Sequence, residues 1–314
     1  MRDTYRIAIL GLGGVGGYLG GKLAALQSRR NDLRVYFIAR GENLKTIRAN
    51  GLKLITPGRE ELVHPTAVTD DPAELGTFDL LLCCVKTYDL ESGLSHITPN
   101  VSEETVILPV MNGVDGSERI RKVLPRAEVW EGLIYIVARL ASPGVVNVSG
   151  SSGNLVFGSE SGDAGRLTEV EALMRSAGIP AQRSEHITKE MWDKYLFISP
   201  LATLTSYLDL SIGAILSDPR HVVTLKGLTM ELHLVAQAKG VPHRSDFIET
   251  TIGKMKSLPP DSTTSMHNDF KKGSRTELDS LTGHVVALGN ELGIATPLYE
   301  GMLAALREKS RPRT

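Results

Sequence analysis

Short apolar runs alternate with segments of helical periodicity over the first half of the chain. The runs predict strands at Tyr5–Leu10, Leu33–Ala39, Phe78–Val85, Val106–Val110, Val129–Val137 and Asn154–Phe157. Between the first two strands, Val15–Leu26 has the periodicity of an amphipathic helix. Near-continuous apolar strands separated by helices are typical of a parallel sheet covered on both faces. The pattern therefore predicts a doubly wound α/β domain.

The second half of the chain is dominated by helical periodicity. It predicts helices at Thr188–Leu208, Arg220–Lys239, Ser245–Lys256 and Glu277–Leu292. Segments that carry proline or glycine separate these helices, and Pro200 is a candidate site for a kink in the first of them. We therefore expect two domains, an α/β domain at residues 1–185 and an all-helical domain at residues 186–314.

Charge and cysteine content narrow the class of protein. The formal net charge is −1, so the chain has no overall attraction for nucleic acid or for an anionic membrane. No apolar run reaches the roughly 20 residues that span a bilayer. The two cysteines, Cys83 and Cys84, are neighbours and cannot join distant segments, which favours a reducing, cytoplasmic compartment. A buried structural role is favoured for them over a redox role.

The residues directly after the first predicted strand match the pattern G-x-G-x-x-G. They are Gly11, Leu12, Gly13, Gly14, Val15 and Gly16. The motif follows a strand and opens a helix, which is the context in which it binds dinucleotides. Gly11 permits the tight turn, Gly13 lets a pyrophosphate approach the backbone, and Gly16 lets the helix pack closely on the strand. This pattern predicts a Rossmann-type nucleotide site, and a glycine turn without a ligand is the less favoured alternative.

The second predicted strand is followed by a cation where NAD-preferring sites carry an acid. This cation is Arg40, and the first acidic residue after the strand is Glu42. A guanidinium can pair with a 2′-phosphate through two hydrogen bonds. We therefore expect NADP rather than NAD as the cofactor, with a solvated surface arginine as the alternative.

Two more polar residues follow the third and fourth predicted strands. Lys86 can hold a phosphate or ribose oxygen, and Asn112 can bond the nicotinamide ribose and the substrate. Both would lie at the carboxyl edge of the sheet, where open α/β folds bind ligands. Each residue alone is equally consistent with an ordinary turn.

These residues, together with three motifs of the second half, resemble the ketopantoate reductase (2-dehydropantoate 2-reductase) family over nearly the whole chain. Glu190–Lys194 resembles the E-x-W-x-K helix of that family. Ser265–Asp269 resembles its S-M-x-x-D segment, and Thr276–Asp279 resembles its T-E-I-D helix start. Many dehydrogenases share the glycine motif, whereas this combination is specific to the family.

The resemblance implies a Rossmann domain, an all-helical domain and an active site in the cleft between them. It implies NADPH-dependent reduction of a small 2-oxo acid, 2-dehydropantoate, to (R)-pantoate, a step toward pantothenate and coenzyme A. Lys194 would be the general acid, and Glu277 would contact both this lysine and the cofactor. The resemblance assigns Ser265 to the substrate, Asn112 to both ligands, and Ala138 to a backbone contact with the cofactor. The protein would be a monomer or a homodimer.

The chain departs from the family pattern in the substrate half of the site. Well-known members carry asparagines four and eight residues after the catalytic lysine, where this chain has Ile198 and Ala202, and a later one near Ile212. Those asparagines bond the carboxylate and hydroxyls of the substrate. Four hydroxyl-bearing residues nearby are candidates to replace them: Ser199, Thr203, Thr205 and Ser206.

Two other functions stay open at this point. One is reduction of a different 2-oxo acid or ketone, and the other is a non-catalytic NADP sensor, which would need neither Lys194 nor Glu277. The sequence contains neither a Cys/His cluster nor a His-x-x-x-His pair, so it does not predict a metal site. His267, in the Ser265–Asp269 segment, is the remaining candidate proton donor, although a position on a helix surface is favoured for it.

Overall fold

The computed structural model of the protein describes residues 4–160, 162–241 and 246–311, with the backbone alone at residues 151 and 152. The chain divides into two compact units. The first comprises Met1–Met111 and Gly116–Ile187, and the second comprises Asn112–Asp115 and Thr188–Thr314. Residues 112–115, which the sequence places in the first domain, are therefore grouped with the second unit. The domain boundary at residues 185 and 186 stays a prediction.

The first unit contains two β-sheets and the helices that pack on them. Its strands are β1 (Tyr5–Leu10), β2 (Leu33–Ile38), β3 (Leu52–Thr56), β4 (Arg59–Val63), β5 (Ala67–Thr69), β6 (Leu80–Cys83), β7 (Val106–Pro109), β8 (Glu128–Val129), β9 (Glu131–Ser142), β10 (Val145–Gly158) and β11 (Ala181–Arg183). Its helices are α1 (Gly14–Gln27), α2 (Gly41–Asn50), α3 (Leu90–Ile97), α4 (Gly116–Val123) and α5 (Ala164–Ser176).

The main sheet is parallel throughout, with the strand order β5-β2-β1-β6-β7-β8. Residues such as Ile7 and Ile9 of β1 and Leu80 and Leu82 of β6 are fully buried, as expected for strands covered on both faces. The predicted Rossmann-type sheet is confirmed. The strand order reverses at β1, which lies between β2 and β6, and ligands bind at such a point in open α/β folds.

The second sheet is mixed, and here the prediction was wrong. Its order is β11-β10-β3-β4, and β9 pairs antiparallel with β10. The sequence predicted a single strand at Val129–Val137. Instead β8 ends at Val129 in the main sheet, whereas β9 begins at Glu131 in the second sheet. Apolar periodicity identifies a strand, but its partner is selected by packing against residues distant in sequence.

Helix α1 packs against both sheets of this unit, and glycines make the close approach possible. A Cβ at Gly17 would lie 2.4 Å from Val146 of the second sheet. A Cβ at Gly20 would lie 2.8 Å from Phe37 of the main sheet. Because interiors are close-packed, side chains at these two positions would push the helix away from the sheets. These two glycines therefore allow α1 to pack closely against both sheets.

The described part of the second unit is helical, which confirms the all-helical prediction. Its elements are α6 (Ile187–Leu208), α7 (Ile212–Ser217), α8 (Pro219–Ala238), α9 (Phe247–Lys256), α10 (Ser265–Lys271), a π-helical segment (Asp279–Gly283), α11 (His284–Leu292) and α12 (Pro297–Lys309). Helix α6 continues through Pro200. Ser245, the predicted start of α9, lies outside the described residues. No helix within the described ranges is long and apolar enough to cross a membrane.

Candidate functional site

The glycine turn connects β1 to α1 in a conformation that requires glycine. Gly11 has a φ of +92°, in the left-handed region, and a Cβ there would lie 2.8 Å from Val85. A Cβ at Gly16 would lie 1.9 Å from the carbonyl oxygen of Gly11, so the first turn of α1 packs directly on the turn. At Gly13 a Cβ would meet no atom within 4 Å. Open space therefore adjoins the backbone at the middle glycine of the motif.

The remaining residues of the motif support this turn through the backbone and the core. Leu12 is buried, and its carbonyl oxygen accepts a hydrogen bond from Asn43 Nδ2 at 2.9 Å. A Cβ at Gly14 would lie 2.3 Å from the carbonyl oxygen of Ala138, which places Ala138 of β9 at the start of α1. Val15 packs against the core of the unit. Sequence reasoning missed Asn43, whose local signal is only that of a helix-surface residue.

Two basic residues follow the strands on either side of β1. Arg40 comes two residues after β2 with its side chain 74% exposed, and Lys86 comes three residues after β6 and is half-buried. Because β2 and β6 both pair with β1, these residues follow strand ends that flank the glycine turn. The Arg40 guanidinium forms an ion pair with Asp89. Sequence reasoning missed Asp89, since an acid 49 residues away gives no local signal of this contact.

This edge of the sheet fits a dinucleotide that carries an additional phosphate. No side-chain oxygen caps α1 at Gly13, so the N–H groups of its first turn can bind an anion. The open space at Gly13 leaves room for a pyrophosphate against the backbone. The exposed guanidinium of Arg40 suits a further phosphate beside the end of β2. The six motif residues, Ala138, Arg40 and Lys86 stay predicted cofactor contacts.

Lys194 lies on α6 in the second unit and is half-buried. Its Nζ donates a hydrogen bond of 3.3 Å to Oδ1 of Asn112, which is 82 residues away in the sequence. Burial lowers the pKa of Lys194 to about 8, and the negative charge of Glu277 raises it in opposition. Burial is the larger of the two effects. An ammonium group with this pKa can donate its proton near neutral pH more readily than an ordinary lysine.

Glu277 directly precedes the helical residue Leu278, and its side chain is buried, with the residue only 3% exposed. A carboxylate in such surroundings is unfavourable unless opposite charge or hydrogen bonds compensate for the lost water. Its influence on the pKa of Lys194 identifies the ammonium group as one such charge. Its position before a helix also lets the carboxylate interact favourably with the helix dipole. The structure thus brings Asn112, Lys194 and Glu277 together from three segments.

The segment that carries Ser265 has a different arrangement from the one expected. Ser265 is exposed and begins α10, and its substrate contact stays a prediction. The expectation that His267 lies on a helix surface was wrong, because this residue is only 2% exposed. Its Nε2 lies 2.6 Å from Oδ1 of Asp209, and its Nδ1 contacts the hydroxyl of Thr263. His267 therefore links the start of α10 to the loop after α6.

The two cysteines and the candidate metal ligands show no sign of further chemistry in the described residues. Cys83 is a buried free thiol and Cys84 is a half-buried one; burial raises the pKa of Cys83 to about 12 and that of Cys84 well above its usual range, which agrees with a structural role. Within residues 4–160, 162–241 and 246–311, no group of three or more His, Cys, Asp or Glu side chains is arranged to hold a metal ion.

Comparison with known families covers both units. The family model of ketopantoate reductase PanE/ApbA matches residues 7–162, and the model of the C-terminal part of the same family matches residues 186–310. The uncharacterized oxidoreductase YkpB of Bacillus subtilis is 29% identical over 305 residues, which cover 96% of this chain and 98% of that protein. A 2-dehydropantoate 2-reductase of Mesorhizobium japonicum is 29% identical over 330 residues, with coverage of 96% and 97%.

Solved structures share the fold. The crystal structure of 2-dehydropantoate 2-reductase from Porphyromonas gingivalis W83 has a TM-score of 0.85 and 35% sequence identity, and covers 97% of this chain and 99% of its own. The ternary structure of D-mandelate dehydrogenase with NADH and anilino(oxo)acetate has a TM-score of 0.87 at 23% identity, with coverage of 97% and 98%, and is similar in fold alone. The chain belongs to the ketopantoate reductase family of oxidoreductases.

Proposed function

We propose that this protein is an NADPH-dependent 2-oxo acid reductase that converts 2-dehydropantoate to (R)-pantoate, a step toward pantothenate and coenzyme A. The observation that carries the proposal is Lys194. It is a half-buried ammonium group with a pKa of about 8, hydrogen-bonded to Asn112 and attracted by the buried carboxylate of Glu277. Relatives named 2-dehydropantoate 2-reductase support this choice of substrate.

The chemistry requires a hydride at C2 of the oxo acid and a proton on its carbonyl oxygen. A nicotinamide cofactor, held by the first unit, would supply the hydride. Lys194 donates the proton from Nζ to the carbonyl oxygen as negative charge develops there, and is left as a neutral amine. Asn112 orients Nζ through its hydrogen bond, and the charge of Glu277 favours the return of Lys194 to the ammonium form. These roles make Lys194 the general acid and Asn112 and Glu277 its supporting groups.

The first unit would hold the cofactor. The glycine turn would bind the pyrophosphate through backbone N–H groups, since a Cβ is absent where the phosphates approach. Arg40 would pair with the 2′-phosphate, for which it must exchange its contact with Asp89. Lys86 would contact a phosphate or ribose oxygen. The exposed guanidinium at the end of β2 is the observation that supports NADPH rather than NADH.

A second candidate function is favoured by the side chains that follow Lys194 on α6. One and two turns further along the helix from this lysine lie Ile198 and Ala202, which offer no hydrogen bonds. Among the nearby hydroxyls, Ser199 bonds the carbonyl oxygen of Leu281, and Thr205 bonds the carbonyl oxygen of its own helix at Leu201. Side chains of this kind suit a 2-oxo acid with an apolar side chain better than one that carries a hydroxyl group.

A non-catalytic NADP sensor is the least favoured function. Burial of a lysine disfavours its charged form, and the pKa of Lys194 is lowered as a result. Cofactor recognition by the glycine turn and Arg40 needs no such group in the second unit. A half-buried lysine with a lowered pKa beside a buried glutamate is, in contrast, typical of catalytic sites.

The experiment that tests the proposal compares two substrates that differ by one hydroxyl group. NADPH oxidation is followed with 2-dehydropantoate and with 3,3-dimethyl-2-oxobutanoate, its analogue without the hydroxyl. We expect kcat/KM to be at least about tenfold higher for 2-dehydropantoate, because a site built for the hydroxyl leaves polar groups unpaired when the analogue binds. The reverse order would favour the apolar substrate class. Tight NADPH binding without turnover of any 2-oxo acid would favour the sensor.

A further inference from the structure

The helix that follows Glu277 begins with an irregular turn. Residues Asp279–Gly283 are π-helical, and the N–H of His284 donates to the carbonyl oxygen of Asp279, five residues back. Such segments occur mostly as single wide turns within α-helices, frequently at functional sites. They disturb the regular i to i−4 hydrogen bonds of the helix, so carbonyl groups in them need other donors.

Three hydroxyl groups of α6 contact the segment: two bond carbonyl oxygens, and the third bonds a side-chain hydroxyl. They belong to Tyr195, Ser199 and Thr203, which are spaced one turn apart on the helix; we call them the hydroxyl row. The contacts are Tyr195 Oη to the carbonyl oxygen of Ser280 at 2.7 Å, Ser199 Oγ to the carbonyl oxygen of Leu281 at 2.6 Å, and Thr203 Oγ1 with Thr282 Oγ1 at 2.8 Å. Each member therefore binds one of three successive residues of the π-helical segment.

The hydroxyl row occupies buried positions in which apolar side chains of similar size would stabilise the fold equally well. All three residues are buried among apolar side chains of the second unit. Buried hydroxyls are unfavourable unless they are paired, and Phe, Ala and Val would fill much the same space without this requirement. Paired hydroxyls, however, select one arrangement of the backbone to which they bind. The row therefore specifies the π-helical geometry.

The same two elements carry the proton donor and its carboxylate. Lys194 directly precedes Tyr195, the first member of the row, and Glu277 lies two residues before the start of the π-helical segment at Asp279. We propose that Tyr195, Ser199 and Thr203 are positioning residues, whose hydroxyl groups hold the π-helical segment and thereby keep Glu277 beside Lys194. This inference rests on the proposed function of Lys194 as the general acid.

Several titratable or charged groups surround these positions. On α6, Asp193 forms an ion pair with Lys189. Burial raises the pKa of Tyr195 well above its usual range, and Tyr299 of α12 and Asp115, in the segment that includes Asn112, raise it further. The Tyr299 hydroxyl also contacts Ser199. The group whose charge raises the pKa of Lys194 is Glu277. Displacement of Glu277 should therefore lower the pKa of Lys194 below its present value of about 8.

The test measures the pKa of Lys194 without use of catalysis. The full chain is labelled with acetic anhydride over a range of pH, and the extent of modification at Lys194 is followed by mass spectrometry. Tyr195→Phe and Thr203→Val each remove one hydroxyl with little change of shape. We expect the pKa of Lys194 to fall by about half a pH unit or more in each, roughly a threefold change in the protonation equilibrium. Glu277→Gln defines the largest shift that loss of this charge can produce.

Two control variants separate positioning from general loosening. Thr229→Val removes a buried hydroxyl of α8 that bonds the carbonyl oxygen of Leu225 in its own helix, and it should leave the pKa of Lys194 unchanged. Thr203→Ser keeps the hydroxyl and should restore the original pKa. An unchanged pKa in Tyr195→Phe and Thr203→Val, with a lower one in Glu277→Gln, would overturn the proposal. An equal shift in Thr229→Val would also overturn it.

The rate of NADPH oxidation distinguishes this proposal from the proposed function. We call the pKa of Lys194 measured by acetic anhydride modification the labelling pKa. If Lys194 is the general acid, the decline of kcat at high pH should move to lower pH by the same amount as the labelling pKa. A shifted labelling pKa with an unmoved kcat profile would support the positioning role and refute the acid role. An unmoved labelling pKa would refute the positioning role, whatever the kcat profile.

Discussion

The candidate site of the first unit consists mainly of backbone groups, whereas that of the second unit consists of side chains. In the first unit most of the predicted cofactor residues follow adjacent strands of one sheet, and those of the glycine turn would act through backbone groups of a short contiguous segment. In the second unit the candidate site consists of side chains from segments that are 82 or more residues apart, and burial alters the pKa of one of them. Ligand affinity at a backbone site depends on space beside the backbone, whereas the reactivity of a side-chain site depends on the pKa values of its groups. Substitutions in the two units should therefore have different consequences.

The largest expected effect is on the chemical step. Lys194→Ala removes the proposed proton donor, so kcat should fall by roughly 10²–10⁴-fold. NADPH affinity should change little, because the glycine turn and Arg40 are intact. Stopped-flow measurement of NADPH oxidation at saturating substrate checks this prediction. Lys189→Ala, five residues earlier on α6 and ion-paired with Asp193, is the control and should keep its rate. A hydride-transfer rate within a few-fold of the unmutated enzyme would remove Lys194 from the mechanism.

The next prediction compares a glycine whose missing side chain leaves space for the ligand with a glycine that the packing of the fold requires. Gly13→Val places a side chain in open space, so the fold should survive while NADPH affinity falls about 100-fold, the effect of two lost charge-assisted hydrogen bonds. Gly16→Ala would instead meet the carbonyl oxygen of Gly11 at 1.9 Å and should lower Tm. Fluorescence titration and thermal unfolding measure the two outcomes. Normal NADPH affinity in Gly13→Val would place the phosphates elsewhere.

Cofactor selection should depend on one side chain of the first unit. Arg40→Ala removes the proposed partner of the 2′-phosphate, and the preference for NADPH over NADH should fall about tenfold or more. NADH affinity should stay nearly constant. Arg48→Ala, on the next helix and bonded to the carbonyl oxygen of Val68, is the control. Equal affinity of the unmutated protein for both cofactors, measured by titration, would contradict the assignment.

The electrostatics of the second unit predict a specific pH dependence. Lys194 can donate a proton only in its ammonium form, which predominates below its pKa of about 8. The rate should therefore be constant at lower pH and should decline above about 8, approaching a tenfold loss per pH unit. A kcat profile over pH 6–10 checks this expectation. The residual rate of Lys194→Ala should lack this decline, and a decline that persists in the variant would assign the titration to another group.

The smallest effect concerns the ion pair between Arg40 and Asp89. This pair is largely exposed at its arginine end, and such pairs contribute roughly 0.2–1 kcal/mol. Asp89→Asn frees the guanidinium for the 2′-phosphate, so NADPH should bind up to about fivefold more tightly, with no gain for NADH. Calorimetric titration with both cofactors distinguishes the cases. Weaker NADPH binding would indicate that Asp89 orients Arg40 rather than competes for it.

Much of the fold could be predicted from local sequence, and particular residues show where this ends. The strand at Tyr5–Leu10 and the helix after the glycine turn are encoded by neighbouring residues, and the structure confirms them. The division between β8 and β9 was missed, since the two strands enter different sheets within two residues of each other. The π-helical segment was likewise missed, because its geometry depends on hydroxyl groups of α6 about 80 residues earlier.

The sequence by itself determined the class of protein. A glycine motif in its strand-to-helix context, Arg40 and the motifs around Lys194 and Glu277 are local patterns, and they suffice for the family and the candidate residues. Only the tertiary structure decided how these residues are placed. Burial of Lys194, its contact with Asn112, the ion pair of Arg40 with Asp89 and the buried position of His267 all depend on atoms from distant segments. Desolvation and Coulomb energy depend on the surrounding atoms in three dimensions, so a lysine in a sequence has a candidate role, but its pKa follows only from the fold.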